Sequence, residues 1–157
     1  MGQLLITITL ALAVTFSALA QNSTTPDLSG TWVLNPAKST LGKDNTIKAQ
    51  TIAIDYKKST IVFHYKTDGK KSTESYTPDG QKRVSMDMSS GQLISKASWQ
   101  DSALVIESTL QVKVPNVVVT VSGLKPIIDR WTLAPDGRTL SHETNDDPKQ
   151  IFIFDKQ

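Results

Sequence analysis

Along most of the chain apolar and polar residues alternate one by one. Leu104, Ile106, Leu110, Val112 and Val114 fall on one face of a run whose other face carries Val105, Glu107, Thr109, Gln111 and Lys113. A period of two marks a half-buried strand, because successive side chains of a strand point to opposite faces. Ile61, Phe63 and Tyr65 alternate with His64 and Lys66 in the same way, and Val84, Met86 and Met88 alternate with Arg83, Ser85 and Asp87. After the first 20 residues no long stretch follows the 3.6-residue period of an amphipathic helix.

Turn residues punctuate the alternation. Thr67-Asp68-Gly69-Lys70, Pro78-Asp79-Gly80-Gln81 and Pro135-Asp136-Gly137-Arg138 all carry Asp-Gly, whose glycine accepts the positive φ of tight hairpin turns. Ser89-Ser90-Gly91, Gln100-Asp101-Ser102 and Pro115-Asn116 complete a series with a spacing of about ten residues, the rhythm of an all-β barrel or sandwich. The strands expected are 30–34, 47–56, 60–67, 70–76, 82–88, 92–99, 103–114, 117–122, 127–133, 139–145 and 151–154. Short connections favour next-neighbour pairing. The fold class is therefore all-β: a single antiparallel, mainly up-and-down β-barrel of about 8–11 strands. Residues 35–43 form the one connection with room for a short helical turn. Strand 70–76 has almost no apolar face, which fits either a lysine-guarded edge or rim, or a wall lining a wet cavity.

The first 20 residues stand apart from this pattern. Leu4 to Phe16 is uncharged and largely apolar, the length of a signal-peptide core, and Ala18-Leu19-Ala20 supplies the small residues of a cleavage site. The expectation is a signal peptide at 1–20 cut between Ala20 and Gln21, a flexible leader at 21–27, and a barrel domain at 28–157 of a secreted or periplasmic protein. The apolar run is short for a membrane span, so no stable membrane insertion is expected after cleavage. The chain contains no cysteine, so it must stand on burial and hydrogen bonding in an oxidising compartment. A net charge of +2 with both signs interspersed gives no basic patch for nucleic acid.

No constellation of catalytic residues is legible, and no cofactor is implied. Gly-x-Ser-x-Gly, P-loop and dinucleotide fingerprints are missing. His64 and His142 share no close spacing and have no cysteine beside them, so no metal site is expected and exposed strand positions account for both. Asp146-Asp147 lacks the spaced ligands and glycine of a calcium loop. Glu74, Glu107 and Glu143 sit on alternating strands, and nothing in the sequence brings two together as an acid/base pair.

The run Asp27-Leu28-Ser29-Gly30-Thr31-Trp32-Val33-Leu34-Asn35-Pro36-Ala37-Lys38-Ser39 resembles the opening of small secreted bacterial proteins of lipocalin-like type. The wider calycin group of lipocalins, fatty-acid-binding proteins and avidins shares a Gly-x-Trp first strand. Residues 97–104 and 129–140, with Trp99 and Arg130-Trp131, are similar to the rest of the pattern. The resemblance implies barrel closure by Gly30 and Trp32, with Arg130 from a late strand over the indole, although Arg130 has the parity opposite to Trp131 and Leu133. It also implies a group built around cavities.

Phe63, Tyr65, Met86, Met88, Trp99, Ile106 and Leu110 are the candidate interior face. In a hollow barrel they form a pocket for a small hydrophobic or amphipathic molecule, the methionines adapting to its shape. In a barrel filled by its own side chains they are core, and the protein acts through its surface as an envelope interaction module or inhibitor. The resemblance favours the ligand binder, and no protein partner can be named from these residues.

Overall fold

The computed structural model describes residues 25–114, 117–120, 124–145 and 149–157. The expected signal peptide, residues 21–24 of the leader, the Pro115-Asn116 turn and Asp146-Asp147 lie outside the described residues. Among those described there are eleven strands and no helix: β1 (Gly30–Leu34), β2 (Gln50–Lys57), β3 (Thr60–Thr67), β4 (Lys70–Tyr76), β5 (Asp79–Met88), β6 (Gly91–Gln100), β7 (Ala103–Val114), β8 (Val117–Thr120), β9 (Ile127–Leu133), β10 (Thr139–Thr144) and β11 (Ile151–Lys156). All pair antiparallel in one sheet, in the order β4-β3-β2-β1-β11-β10-β9-β7-β6-β5. The first and last strands meet, with Trp32 opposite Lys156 and Leu34 opposite Phe154. The result is a nearly closed barrel of the lipocalin-like, calycin type.

The pairing departs from strict next-neighbour order in one place. The twelve-residue β7 is long enough to take two partners: β9 along Ala103–Ser108, and the short β8 along Gln111–Val114. The wall has one seam, between β4 and β5, which share no ladder among the described residues. The Asp79-Gly80 pair therefore does not make a hairpin; it opens β5. Gly80 takes φ +75° inside β5, while Asp79 binds Arg83 through both carboxylate oxygens, at 2.7 and 2.6 Å. By contrast Asp68 and Gly69, at φ +47° and +85°, turn β3 into β4 as the sequence predicts. Residues 36–38 make a hydrogen-bonded turn and not a helix: Lys38 N–H reaches Asn35 O at 3.2 Å, and Thr40 then bridges Ile151.

One end of the barrel is packed solid. Trp32 and Leu28 are fully buried with Ile54, Ile61, Leu104, Leu140 and Phe154 around them. The indole N–H donates to Leu28 O at 2.9 Å, so its one polar atom is satisfied inside. Lys156 Nζ lies 5.1 Å from the centre of the Trp32 ring. Gly30 has φ +135°, a backbone state that L side chains rarely adopt, and a Cβ there would come within 2.9 Å of Lys156 Cε.

The cation over Trp32 is thus Lys156 and not Arg130. Arg130 sits on the outer face of β9, in register between Val105 and Glu143, because Asp129, Trp131 and Leu133 take the inward parity. Strand β11 reaches its place through the Asn35–Ser39 run. Asn35 Nδ2 and Lys38 Nζ bind the two oxygens of Asp155 at 2.6 and 2.8 Å, and Ser39 Oγ accepts from Ile153 N–H at 2.9 Å. The Asn35 hydrogen bond, then Lys38, hold the Asp155 carboxyl below the usual carboxylate range.

Replacing Trp32 by Ala should lower the unfolding free energy by about 3–5 kcal/mol in urea titrations, as for other large core truncations. Gly30→Ala should cost roughly 1–3 kcal/mol through strained φ. A loss under about 1 kcal/mol for Trp32→Ala would mean that the indole does not seal the end.

Candidate functional site

Above the packed layer the barrel is hollow. A partly enclosed cavity of about 370 Å³ lies on the side of the core away from Trp32. Its floor is Ile106 and Trp131, both buried, with Phe63 beneath them 5.1 Å from the Trp131 ring. Leu93 and Ile127 add apolar wall, and the remaining nine lining residues carry polar groups: Gln50, Tyr65, Thr67, Ser72, Glu74, Tyr76, Ser108, Asp129 and His142.

Strand parity delivers these groups. Residues directly opposite in an antiparallel pair share a face. Leu104 opposes Trp131 and Trp131 opposes His142, so the buried Leu104 and Trp131 draw His142 inward. Ile106 opposes Asp129 by the same rule, and Phe63 opposes Glu74. His142 was expected to be exposed; it stacks on Trp131 with ring centres 4.0 Å apart and planes 4° apart. Its Nε2 lies 2.7 Å from Asp129 Oδ1. A carboxylate only accepts, so Nε2 carries the hydrogen of this bond. His64, by contrast, is half-buried on the outward parity, 3.1 Å from Thr73 Oγ1 and 3.5 Å from Asp55 Oδ2.

On the facing wall Tyr76 O–H donates to Glu74 Oε2 at 3.1 Å. Burial, then the Glu74 charge, pushes the Tyr76 phenol up. Burial, then the charge on Glu74, with contributions from Tyr76 and Asp129, raises Tyr65 well above its usual value, and a hydrogen bond to Glu74 adds to the effect. Gln50 Nε2 donates to Thr67 Oγ1 at 2.8 Å. Ser108 is buried and bonds Ser95 at 2.7 Å, which bonds Ser85 at 2.6 Å, a hydroxyl chain leading to a second cavity of about 210 Å³ at the β4–β5 seam.

The candidate interior residues separate into three groups. Tyr65 and Ile106 line the cavity, while Phe63 lies buried beneath it and Trp99 packs against the core from its edge. Leu110 opposes Leu93 on the inner face and is partly buried. Met86 and Met88 oppose Leu93 and Gly91 on that face, but they are 46% and 37% exposed and line no part of the cavity. The reason is the seam: β5 is the last strand on its side, so no strand beyond it closes over them. An irregularity at Ser85 also separates the parity of Val84 from that of Met86.

Tyr76 and Asp129 carry no signal in the sequence that singles them out, while Glu74 and His142 read there as strand residues without a partner. Alternation with Trp131 and Leu140 would have turned Asp129 and His142 inward. Glu107 and Glu143 face outward and pair with Lys96 and Lys149 at 3.2 and 2.5 Å. Among the described residues no three His, Cys, Asp or Glu side chains are grouped to hold a metal ion.

No protein-family model matches the sequence, and no curated protein matches it significantly. Solved structures share the fold. A REP1-NXSQ fatty acid transporter superposes with a TM-score of 0.59 at 14% identity, covering 83% of this chain and 96% of its own. Apo lipid binding protein 8 of Caenorhabditis elegans gives 0.61 at 12% identity, covering 82% of this chain and 94% of its own.

All three tyrosines, Tyr56 included, are held above the usual 10.0, with burial the largest cause at each. The unfolded chain therefore loses phenolic protons first, so this part of the stability is intact below pH 10 and falls as pH rises beyond it. Tyrosinate absorbance should rise together with loss of the far-ultraviolet β signal. Ionisation of Tyr65 and Tyr76 near pH 10 in a chain that stays folded would contradict their half-buried, carboxylate-facing placement.

Proposed function

We propose that this protein binds one small amphipathic molecule in the half of the barrel that Trp32 and its neighbours leave empty, and carries or sequesters it. The observation that supports this most is the cavity itself. Its 370 Å³ falls within the roughly 300–1,000 Å³ of small-molecule sites, and it joins an apolar floor to convergent polar groups. An apolar portion would lie on Ile106 and Trp131 while a polar end meets the walls at Glu74 and Asp129. Two proteins that share the fold are described as a fatty acid transporter and a lipid binding protein, which supports a ligand inside the barrel. The chemistry proposed is binding, with no bond made or broken. We place the protein outside the cytoplasm, secreted or periplasmic in a bacterium, after removal of residues 1–20.

A neutral apolar dye, 1-aminoanthracene, should bind the folded protein saturably with one equivalent per chain and quench Trp131 emission. Ser72→Trp, which puts an indole into the cavity from the exposed edge strand, should weaken dye binding by roughly tenfold or more, the loss of about 1.4 kcal/mol of contact. Dye uptake that appears only near the unfolding midpoint, or that ignores Ser72→Trp, would contradict the reading. Mass spectrometry of protein recovered from the periplasm or medium of expressing cells should show a chain starting at Gln21; a chain retaining Met1 would refute the placement.

A further inference from the structure

We propose that the polar end of the ligand is a cation, an organic ammonium or a comparable group rich in N–H donors, and not a carboxylate. The inference rests on the cavity being the ligand site and concerns which chemistry that site accepts. Glu74 and Asp129 enter the cavity from opposite walls, and among the described residues no lysine or arginine lines it. Lys70 shares the inner face of β4 with Glu74 but stands at the exposed end of the strand, outside the lining. Arg83 lies in the neighbouring cavity at the seam, held by both oxygens of Asp79.

The strong donors in the wall are already committed to the wall's own acids. Tyr76 O–H donates to Glu74, and the His142 Nε2 hydrogen points at Asp129. An anionic head would enter a site with two negative groups and must take donors away from them, leaving half-buried acceptors unmatched. An ammonium meets the opposite situation. Each carboxylate has remaining lone pairs for charge-assisted hydrogen bonds. Burial is the first cause that raises the Tyr65 and Tyr76 phenols, and the Glu74 and Asp129 charges add to it in the sense of a local field that opposes further negative charge. The wall thus inverts the preference that a carboxylate-binding barrel would need.

The test compares three probes of one shape, decylamine, decanol and decanoate, by calorimetry and Trp131 quenching below their aggregation thresholds at neutral pH. Decylamine should bind at least about tenfold more tightly than decanoate, the value of one charge-assisted contact, with decanol between them. Glu74→Gln and Asp129→Asn, each confirmed folded by circular dichroism, should each reduce that ratio severalfold. Glu74 lies on the edge strand, so its variant carries the test if Asp129→Asn does not fold. Decanoate binding as well as or better than decylamine, or an amine preference untouched by Glu74→Gln, would overturn the cation assignment while the cavity site stands. Failure of all three probes to bind would instead overturn the cavity reading itself.

Discussion

The interior of this barrel is organised by one sealed end. A large indole is placed where the first and last strands meet, with its N–H satisfied by Leu28 O and its face covered by Lys156. The sheet can close there only because Gly30 turns the chain through φ +135° under the lysine. It also needs the Asn35–Ser39 run to hold β11 through Asp155 and Ile153. Once Trp32, Phe154, Leu104 and Leu140 fill this layer, stability is concentrated at one end, and the other end is released from the need to pack.

That division explains how filled and hollow features coexist. The strands that carry the packed layer continue upward with the same parity, and beyond Trp131 and Ile106 the inward positions become Asp129, His142, Ser108, Glu74 and Tyr65. Polar groups at buried or half-buried positions are costly unless they satisfy one another, and here they do so: Asp129 with His142 and Ser95 with Ser108 across strands, Glu74 with Tyr76 along β4. The seam between β4 and β5 is consistent with this. Both strands are polar, and β4 serves at once as the edge and as a cavity wall, so the two readings of its sequence turn out to be compatible.

Much of the fold is legible in the sequence because alternation and turn chemistry act locally. All eleven strands stand near their expected places, and the Asp68-Gly69 turn takes the positive φ values its residues favour. What was not legible depends on pairing. Pro78-Asp79-Gly80 reads as a hairpin, yet the strands it joins do not bond. The Ser85 irregularity and the missing partner beyond β5 leave Met86 and Met88 exposed on an inward parity. The cation over Trp32 is fixed by the register of β1 with β11, which chooses Lys156, and a late-strand Arg130 could be placed there only by resemblance. His142 and Asp129 were readable from parity alone, but a lone histidine on a strand gives no reason to look until Trp131 is known to be buried beside it.

The central claim is an end sealed by Trp32 beneath a hollow half with a loose seam, and native-state hydrogen exchange followed by NMR tests it most directly. The Trp32 indole N–H and the amides of β1, β10 and β11 should exchange only through global unfolding, while β4 and β5 amides facing the seam should exchange by local opening at far lower free energy. A Trp32 indole proton exchanging as fast as the seam amides would contradict the account.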